Sequence, residues 1–341
     1  MQRIAIIRLS SLGDIVHALP AFQALRKGFP EARITWIAEP AGAALLGNFP
    51  GIDQVLVFDL KSRPGLAAKV MYLACFIRRW RGQFDLSLDF QGLIKSALLA
   101  FLLGGERLGF CRRNARESSA ALFYSRRAPF FPEERHVIHK NLHLLSLAGI
   151  TAAPLEYPLR DWAPSPRLAG ILEKEGLGRG GWIILNVGGG WPSKLLSEAQ
   201  WLQIARGLAG GRPLVMLWGN EKEKAAAEAI ARQSGARLAP FMDFGDLIFF
   251  IARARLVVSG DTLALHLADM VRTPAVGVFG PTSPGRNGPL LPASLVVQRR
   301  LGCSCCYRRE CDTMNCLRGI AIEDVIAAAK KIDAQRDRNP Y

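Results

Sequence analysis

The segment Arg3–Arg26 limits what this chain can fold into more than any other. Ile4, Ala5, Ile6 and Ile7 form an unbroken apolar run, the pattern of a strand buried on both faces of a parallel sheet. Ile15, Val16, Leu19, Phe22 and Leu25 then recur at helical spacing. Between them lies only the tight turn Ser10-Ser11-Leu12-Gly13-Asp14. A parallel strand needs a crossover before its neighbour, and a helix supplies one. Open α/β sheets gather ligands at the carboxyl ends of their strands, which is where this turn falls. An aspartate there can cap the helix or act on a ligand, and the segment by itself leaves both roles to Asp14.

The alternation continues. Arg33–Ala38, Gln54–Phe58, Leu86–Asp89 and Arg107–Gly109 read as further strands with helices between them, which implies a parallel sheet covered on both faces. Ala152–Pro166 then carries four prolines, too many for a helix or a central strand, and reads as a linker. Beyond it the pattern restarts with Trp182–Val187, Pro213–Trp218, Leu256–Ser259 and Ala275–Phe279. Each of these strands ends near glycine, at Gly188-Gly189-Gly190, Gly219, Gly260 and Gly280-Pro281. Glycine at a strand end lets backbone N–H groups approach a phosphate closely. Two α/β units with a proline-rich joint suggest a cleft enzyme with a ligand on each wall.

Charge narrows the partners. Lys and Arg outnumber Asp and Glu by 44 to 29, a formal charge of +15 that favours nucleotides, phosphorylated glycolipid, an acidic membrane surface or nucleic acid. Arg3 and Arg8 bracket only four apolar residues, too few for a signal peptide. No stretch reaches the ~18 uninterrupted apolar residues of a spanning helix. Ala67–Ile77 and Ser96–Leu103 come nearest and are expected to be ordinary core helices. The simplest expectation is a cytoplasmic protein whose cysteines are thiols or metal ligands. Cys303, Cys306, Cys311 and Cys316 offer four thiolates, enough for a structural zinc site, with free thiols as the other reading.

Eight segments occur in an order that resembles the bacterial lipopolysaccharide heptosyltransferases, glycosyltransferase family 9. They are Arg8–Arg26, Asp89–Ala97 (DFQGLIKSA), Ala115–Arg127, His136–Lys140 (HVIHK), Trp191–Trp201, Trp218–Glu223 (WGNEKE), Val258–Leu267 (VSGDTLALHL) and Phe279–Pro284. The Asp89 and Ala115 segments are most similar to the type that adds the first heptose to the inner core. The resemblance implies a GT-B α/β fold: two facing Rossmann-like domains with parallel sheets and a cleft between them. Residues 1–160 would form the acceptor-binding domain, 161–330 the nucleotide-sugar domain and 331–341 a polar tail. The implied donor is ADP-L-glycero-β-D-manno-heptose, and the implied acceptor is Kdo-lipid A or a partial lipopolysaccharide core. Peripheral contact with the anionic surface at the cytoplasmic face of the inner membrane follows, and no nucleic acid is expected.

Transfer from a nucleotide sugar needs a base for the acceptor hydroxyl and stabilisation of the departing diphosphate. The chain has no Asp-x-Asp triplet to bind a metal, so Lys, Arg and backbone amides must serve, and no cofactor is required. By the resemblance Asp14 is the catalytic base, and Ser10, Ser11 and Gly13 shape its turn on the acceptor side. Lys194 pairs with the donor diphosphate, and Glu223 accepts the ribose hydroxyls, with Glu221 close enough in sequence to exchange with it. Asp261, Thr262, His266, Gly280 and Thr282 complete the donor site. The family usually has glycine after Asp-Thr, where this chain has Leu263. Asp261 can also be read as a helix N-cap, and His266 or His17 as packed histidines. On the acceptor side Lys61, Arg63, Lys95 and Lys140 supply positive charge for a phosphorylated, carboxylated glycolipid. Two rivals stand beside this reading: transfer of a different nucleotide-activated sugar, and a zinc-containing nucleic-acid-binding protein. Against the second, aromatic residues do not interleave with the basic ones.

Overall fold

The strand-like runs of the amino-terminal half, from Ile4–Ile7 to Arg107–Gly109, all fall in strands of one parallel sheet. The computed structural model describes residues 2–178 and 180–338. It begins with β1 (Arg3–Ile7), α1 (Leu12–Gly28), β2 (Arg33–Ala38), α2 (Pro40–Leu46), β3 (Gln54–Val57) and α3 (Gly65–Trp80). There follow β4 (Leu86–Asp89), α4 (Ile94–Leu103), β5 (Glu106–Phe110), β6 (Arg126–Ala128) and α5 (Val137–Leu144). The strands pair in the order β3-β2-β1-β4-β5-β6, all parallel. Ile4 sits beside Ile34 on one side and Leu86 on the other, so β1 is central. Its residues from Ile4 to Ile7 are buried, as a sheet covered on both faces requires. Phe22 of α1 packs on Trp36 of β2 at 5.9 Å between ring centres. The strand order reverses between β1 and β4, which is where such sheets open a ligand crevice.

The chain divides into two compact units between Arg160 and Asp161. Residues 151–165 carry neither helix nor strand, as Pro154, Pro158 and Pro164 favour, and Pro166 opens α6. The second unit contains α6 (Pro166–Lys174), β7 (Ile183–Asn186), α7 (Glu198–Leu208), β8 (Leu214–Leu217), α8 (Glu221–Ser234), β9 (Arg237–Leu238) and α9 (Phe244–Ala252). It continues with β10 (Leu256–Gly260), α10 (Leu263–Met270), β11 (Ala275–Phe279), α11 (Pro284–Asn287), β12 (Leu295–Gln298), α12 (Asn315–Arg318) and α13 (Ile322–Arg338). Ser165 anchors the start of α6 by donating from its N–H and hydroxyl to the two Asp246 oxygens, each at 2.7 Å. The sheet order β12-β11-β10-β7-β8-β9 repeats the first unit's doubly wound topology, with its own reversal between β7 and β10. These are the two Rossmann-like units with parallel sheets that the sequence led us to expect.

Three expectations need correction. The segment from 331 is not a polar tail up to Arg338: it forms the last turns of α13. Ile322, Val325, Ala329 and Ile332 recur at helical spacing and are buried, while Asp333 and Asp337 pair with Arg255 at 2.6 and 2.5 Å. Residues 339–341 lie outside the described residues. Second, Ala67–Ile77 is not an ordinary core helix, since within α3 only Phe76 is buried. Ser96–Leu103 does behave as one, with Ser96, Ala97, Leu99, Ala100 and Leu103 buried in α4. Third, the short strands β6, β9 and β12 extend the sheets beyond the strands read from the sequence. No described helix is long and apolar enough to cross a membrane.

Candidate functional site

Each unit carries a polar cluster at the carboxyl ends of its central strands. In the first unit β1 runs out at Ile7, and Ser11 caps α1. Asp14 is therefore not the N-cap. It is the third residue of the helix, and its Oδ2 accepts from the Ser11 N–H at 3.2 Å and the Ser11 hydroxyl at 2.9 Å. Arg8, almost wholly buried, donates to the same oxygen at 2.7 Å. A second Arg8 N–H reaches the Phe90 carbonyl at the end of β4. Burial works against ionisation of Asp14, but Arg8, His17 and the Ser11 donors outweigh it and hold the carboxyl far below the usual carboxylate range. The result is an ionised, partly exposed carboxylate whose three donors all converge on Oδ2. Oδ1 accepts none of them.

The surroundings of this turn are tightly fixed. Leu9 donates its N–H to Gln91 Oε1 at 2.8 Å, which ties the β1 turn to the β4 turn. Asp89 accepts from the Gln91 and Gly92 amides, Ser96 and Tyr124, and burial pushes its carboxyl up against those four donors. His17 is packed edge-on against His136 at 5.4 Å, and its carbonyl accepts from Asn141.

The basic residues expected on the acceptor side divide into two groups. Lys61 and Lys95 meet on one carboxylate, Glu39, at 2.7 and 3.1 Å. All three line a cavity of about 250 Å³ that also includes Leu9. Arg63 lies over the Tyr72 ring at 4.6 Å and bonds the Asp59 carbonyl. Lys140 is turned inward instead. Its ammonium donates to the Asn114 carbonyl at 2.7 Å and to Glu133 at 2.9 Å beneath the Phe110 ring. That position suits a residue holding α5 in place, and its charge is engaged within the unit.

In the second unit β7 ends at Asn186, the glycine turn follows, and Lys194 closes a short 3-10 turn begun by Pro192. Its ammonium donates to Asp261 Oδ2 at 2.8 Å and to the Asp261 carbonyl at 3.1 Å, and lies 4.4 Å from the Trp191 ring centre. The other Asp261 oxygen meets His266 Nε2 at 3.1 Å. Asp261 is neither a cap nor exposed: it bridges a lysine and a histidine in a site where all three are largely buried. Burial opposes its ionisation, yet His266 and Lys194 hold it well below the usual range.

Thr262 is the N-cap of α10, but its side chain does not cap the helix. Its hydroxyl accepts from Asn186 Nδ2 at 3.0 Å and meets Ser259 at 2.9 Å. The first-turn amides of α10 therefore lack that side-chain acceptor, and they carry the positive end of the helix dipole. Such a terminus suits a phosphate.

Glu221 points outward to Lys224 at 3.7 Å, whereas Glu223 turns onto the glycine turns that follow β7 and β8. Its two oxygens accept from the Gly189 and Gly219 amides at 3.2 and 2.8 Å. A Cβ at Gly188 would lie 2.5 Å from Glu223 Oε2, so glycine is what lets the carboxylate reach the turn. Thr282 is buried with no partner for its hydroxyl among the described residues. At Gly280 a Cβ would lie 2.7 Å from Leu317.

The zinc reading does not fit. Cys303, Cys305, Cys306, Cys311 and Cys316 are free thiols. No group of three or more His, Cys, Asp or Glu among the described residues could hold a metal ion. Burial pushes the Cys316 thiol up, and the Cys306 and Cys311 sulfurs add to it.

Sequence reasoning missed Arg8, Gln91 and Asn186. An arginine just after a strand reads as a solvated charge, and an asparagine ending an apolar run carries no spacing signal.

With this geometry in view, comparisons with known proteins become informative. The profile of glycosyltransferase family 9 (heptosyltransferase) matches residues 74–317. Lipopolysaccharide heptosyltransferase 1 of Pseudomonas aeruginosa is 27% identical over 328 residues, covering 91% of this chain and 87% of that protein. The Escherichia coli heptosyltransferase WaaC with ADP has a TM-score of 0.75 at 23% identity, over 97% of this chain and 100% of that one. A glycosyl transferase family 9 protein from Veillonella parvula gives 0.81 at 20% identity, over 98% and 97%. At these identities the structural likeness speaks to the fold.

Proposed function

Because the chain belongs to glycosyltransferase family 9, we propose that it moves a heptosyl residue from ADP-heptose to a Kdo sugar of inner-core lipopolysaccharide. The Asp14 carboxylate takes the proton of the acceptor hydroxyl as that oxygen attacks the anomeric carbon. The bond from the anomeric carbon to the diphosphate breaks on the opposite face, the electron pair leaves with ADP, and the configuration inverts. Ser11 and Arg8 keep Oδ2 occupied, so Oδ1 is the oxygen that takes the proton.

The observation that carries the donor half of this reading is the buried Lys194–Asp261–His266 chain at the strand-order reversal of the second sheet. Nucleotides bind at such reversals, and an ammonium beside a helix amino terminus supplies positive charge for a departing diphosphate. Glu223 is suited to the ribose hydroxyls, because each carboxylate oxygen has a further lone pair beyond the one the glycine amides use. With no Asp-x-Asp triplet in the chain, charge on the leaving group is met by these groups without a metal. The formal charge of +15 and a lipid-anchored acceptor support peripheral association with the cytoplasmic face of the inner membrane.

The test is ADP release from ADP-heptose, with and without Kdo₂-lipid A, in EDTA. Acceptor-dependent release is expected. Release that requires an added divalent ion would overturn metal independence, and no release with this acceptor would overturn the assigned transfer.

A further inference from the structure

Helix α3 is apolar on both faces but packs only one of them. Leu73, Phe76, Ile77 and Trp80 pack inward on the core beneath β1 and α4. The opposite stripe, Leu66, Ala67, Val70, Met71, Ala74 and Cys75, follows helical spacing over three turns and is exposed. Leu66, Met71 and Val70 stand 79, 66 and 58% exposed. An ordinary surface helix keeps its outward face polar, and a run of apolar side chains left in water marks a docking surface.

Charge identifies the partner. Residues 60–84 contain Lys61, Arg63, Lys69, Arg78, Arg79 and Arg81 and no Asp or Glu. The cations therefore flank the apolar stripe at both ends, and Arg78 and Arg79 are exposed at its carboxyl end. Beside the helix, the cavity described above is lined by Leu60, Leu73 and Leu98 together with Lys61 and Lys69. Lys61 and Arg63 have carboxylate partners in Glu39 and Asp59, whereas Arg78 and Arg79 have none among the described residues. Apolar surface flanked by such cations is the composition of a helix that lies in the headgroup layer of an anionic membrane. We infer that α3 is the element that docks this protein on an anionic bilayer, with its Leu66–Cys75 stripe entering the acyl boundary and the flanking arginines and lysines meeting lipid phosphates. The inference deepens the membrane-side reading above and rests on it for its purpose, while the binding itself can be measured apart from transfer.

The experiment is flotation of the full-length protein with phosphatidylcholine vesicles containing or lacking 30% phosphatidylglycerol, without nucleotide sugar or glycolipid. The protein should float with the anionic vesicles only, and less at higher salt. A Val70→Asp/Met71→Asp double variant should partition roughly tenfold more weakly, since two exposed apolar contacts become charges that the surface repels. Arg78→Glu/Arg79→Glu should lose the preference for phosphatidylglycerol. Both pairs lie outside the polar clusters, so thermal unfolding and ADP release with a soluble Kdo saccharide should match the unchanged protein. Equal flotation of the Val70→Asp/Met71→Asp variant would overturn the assignment. So would a protein that ignores anionic vesicles, or one that self-associates through α3 and becomes monomeric in that variant. Loss of transfer with flotation intact would count against the reaction and leave the docking surface standing.

Discussion

Replacing Asp261 with asparagine keeps the shape of the second unit's polar cluster and removes its charge. The amide oxygen can still face Lys194 and the amide nitrogen can face His266 in the matching tautomer. What disappears is the counter-charge of an ammonium whose side chain is only 14% exposed. At 2.8 Å and an effective dielectric constant of about 20, the pair attraction is about 6 kcal/mol, an upper bound. Removing one partner of a buried ion pair generally costs about 3–5 kcal/mol. The lower end applies here, since the flexible lysine stem can swing its ammonium toward water. For a unit of this size a loss of about 3 kcal/mol lowers the melting temperature by about 6–12 °C.

The pH dependence sharpens the test. Asp261 is held below its unfolded value of about 3.9, so its stabilisation is fully present above that value. It is lost only as pH falls through the lower, folded one. Thermal unfolding of the two proteins should therefore still differ at pH 5, above the range in which Asp261 takes up its proton. ADP should raise the melting temperature more in Asp261→Asn than in the unchanged protein, because the diphosphate restores a counter-charge to Lys194. A difference under 2 °C, or one that vanishes by pH 5, would refute the reasoning.

Three further outcomes follow from the same geometry. Gly188→Ala forces the Glu223 carboxylate away from the Gly189 and Gly219 amides; titration with ADP should show roughly tenfold weaker binding, while Glu221→Gln leaves it unchanged. Arg8→Met removes the cation that, with His17 and Ser11, holds Asp14 down, so the acid limb of the pH–rate profile should move upward. Lys140→Met removes the ammonium joining Asn114 and Glu133; chemical denaturation should show a loss of about 1–3 kcal/mol, with the KM for acceptor unchanged.

The parts of the fold that could be read from sequence are those that a buried parallel strand forces. A strand covered on both faces favours an unbroken apolar run, so Ile4–Ile7, Ile183–Leu185 and Leu256–Val258 stand out unaided. Three of the four edge strands, β6, β9 and β12, escaped the same reading. In β6 two of the three residues are exposed arginines, and β9 is a two-residue strand whose residues are only half-buried. Their place is set by pairing with β5 and β8, which no local pattern records. The end of α13 was hidden differently. Its composition is polar, and the buried positions up to Ile332 emerge only when the 3.6 period is followed past Lys330.

The sites divide along similar lines. Asp14, Lys194 and Asp261 each lie one turn beyond a strand, which is where topology places ligand chemistry. The mutual arrangement was not legible. That Lys194 and His266 share Asp261, and that Arg8 reaches Asp14, depends on three-dimensional convergence across 67 and 6 residues of sequence. Lys140 gave the opposite error, because a basic residue within a matched segment carries no sign of whether its charge faces outward or in.

Asp14→Asn offers the most direct measurement. The asparagine keeps the Ser11 contact and the size of the side chain but cannot accept the acceptor's proton. Acceptor-dependent ADP release should fall by 10²–10⁴-fold, the range general base catalysis supplies, while ADP binding to the second unit stays unchanged. A variant that transfers at the full rate would contradict the assignment of Asp14 as the base.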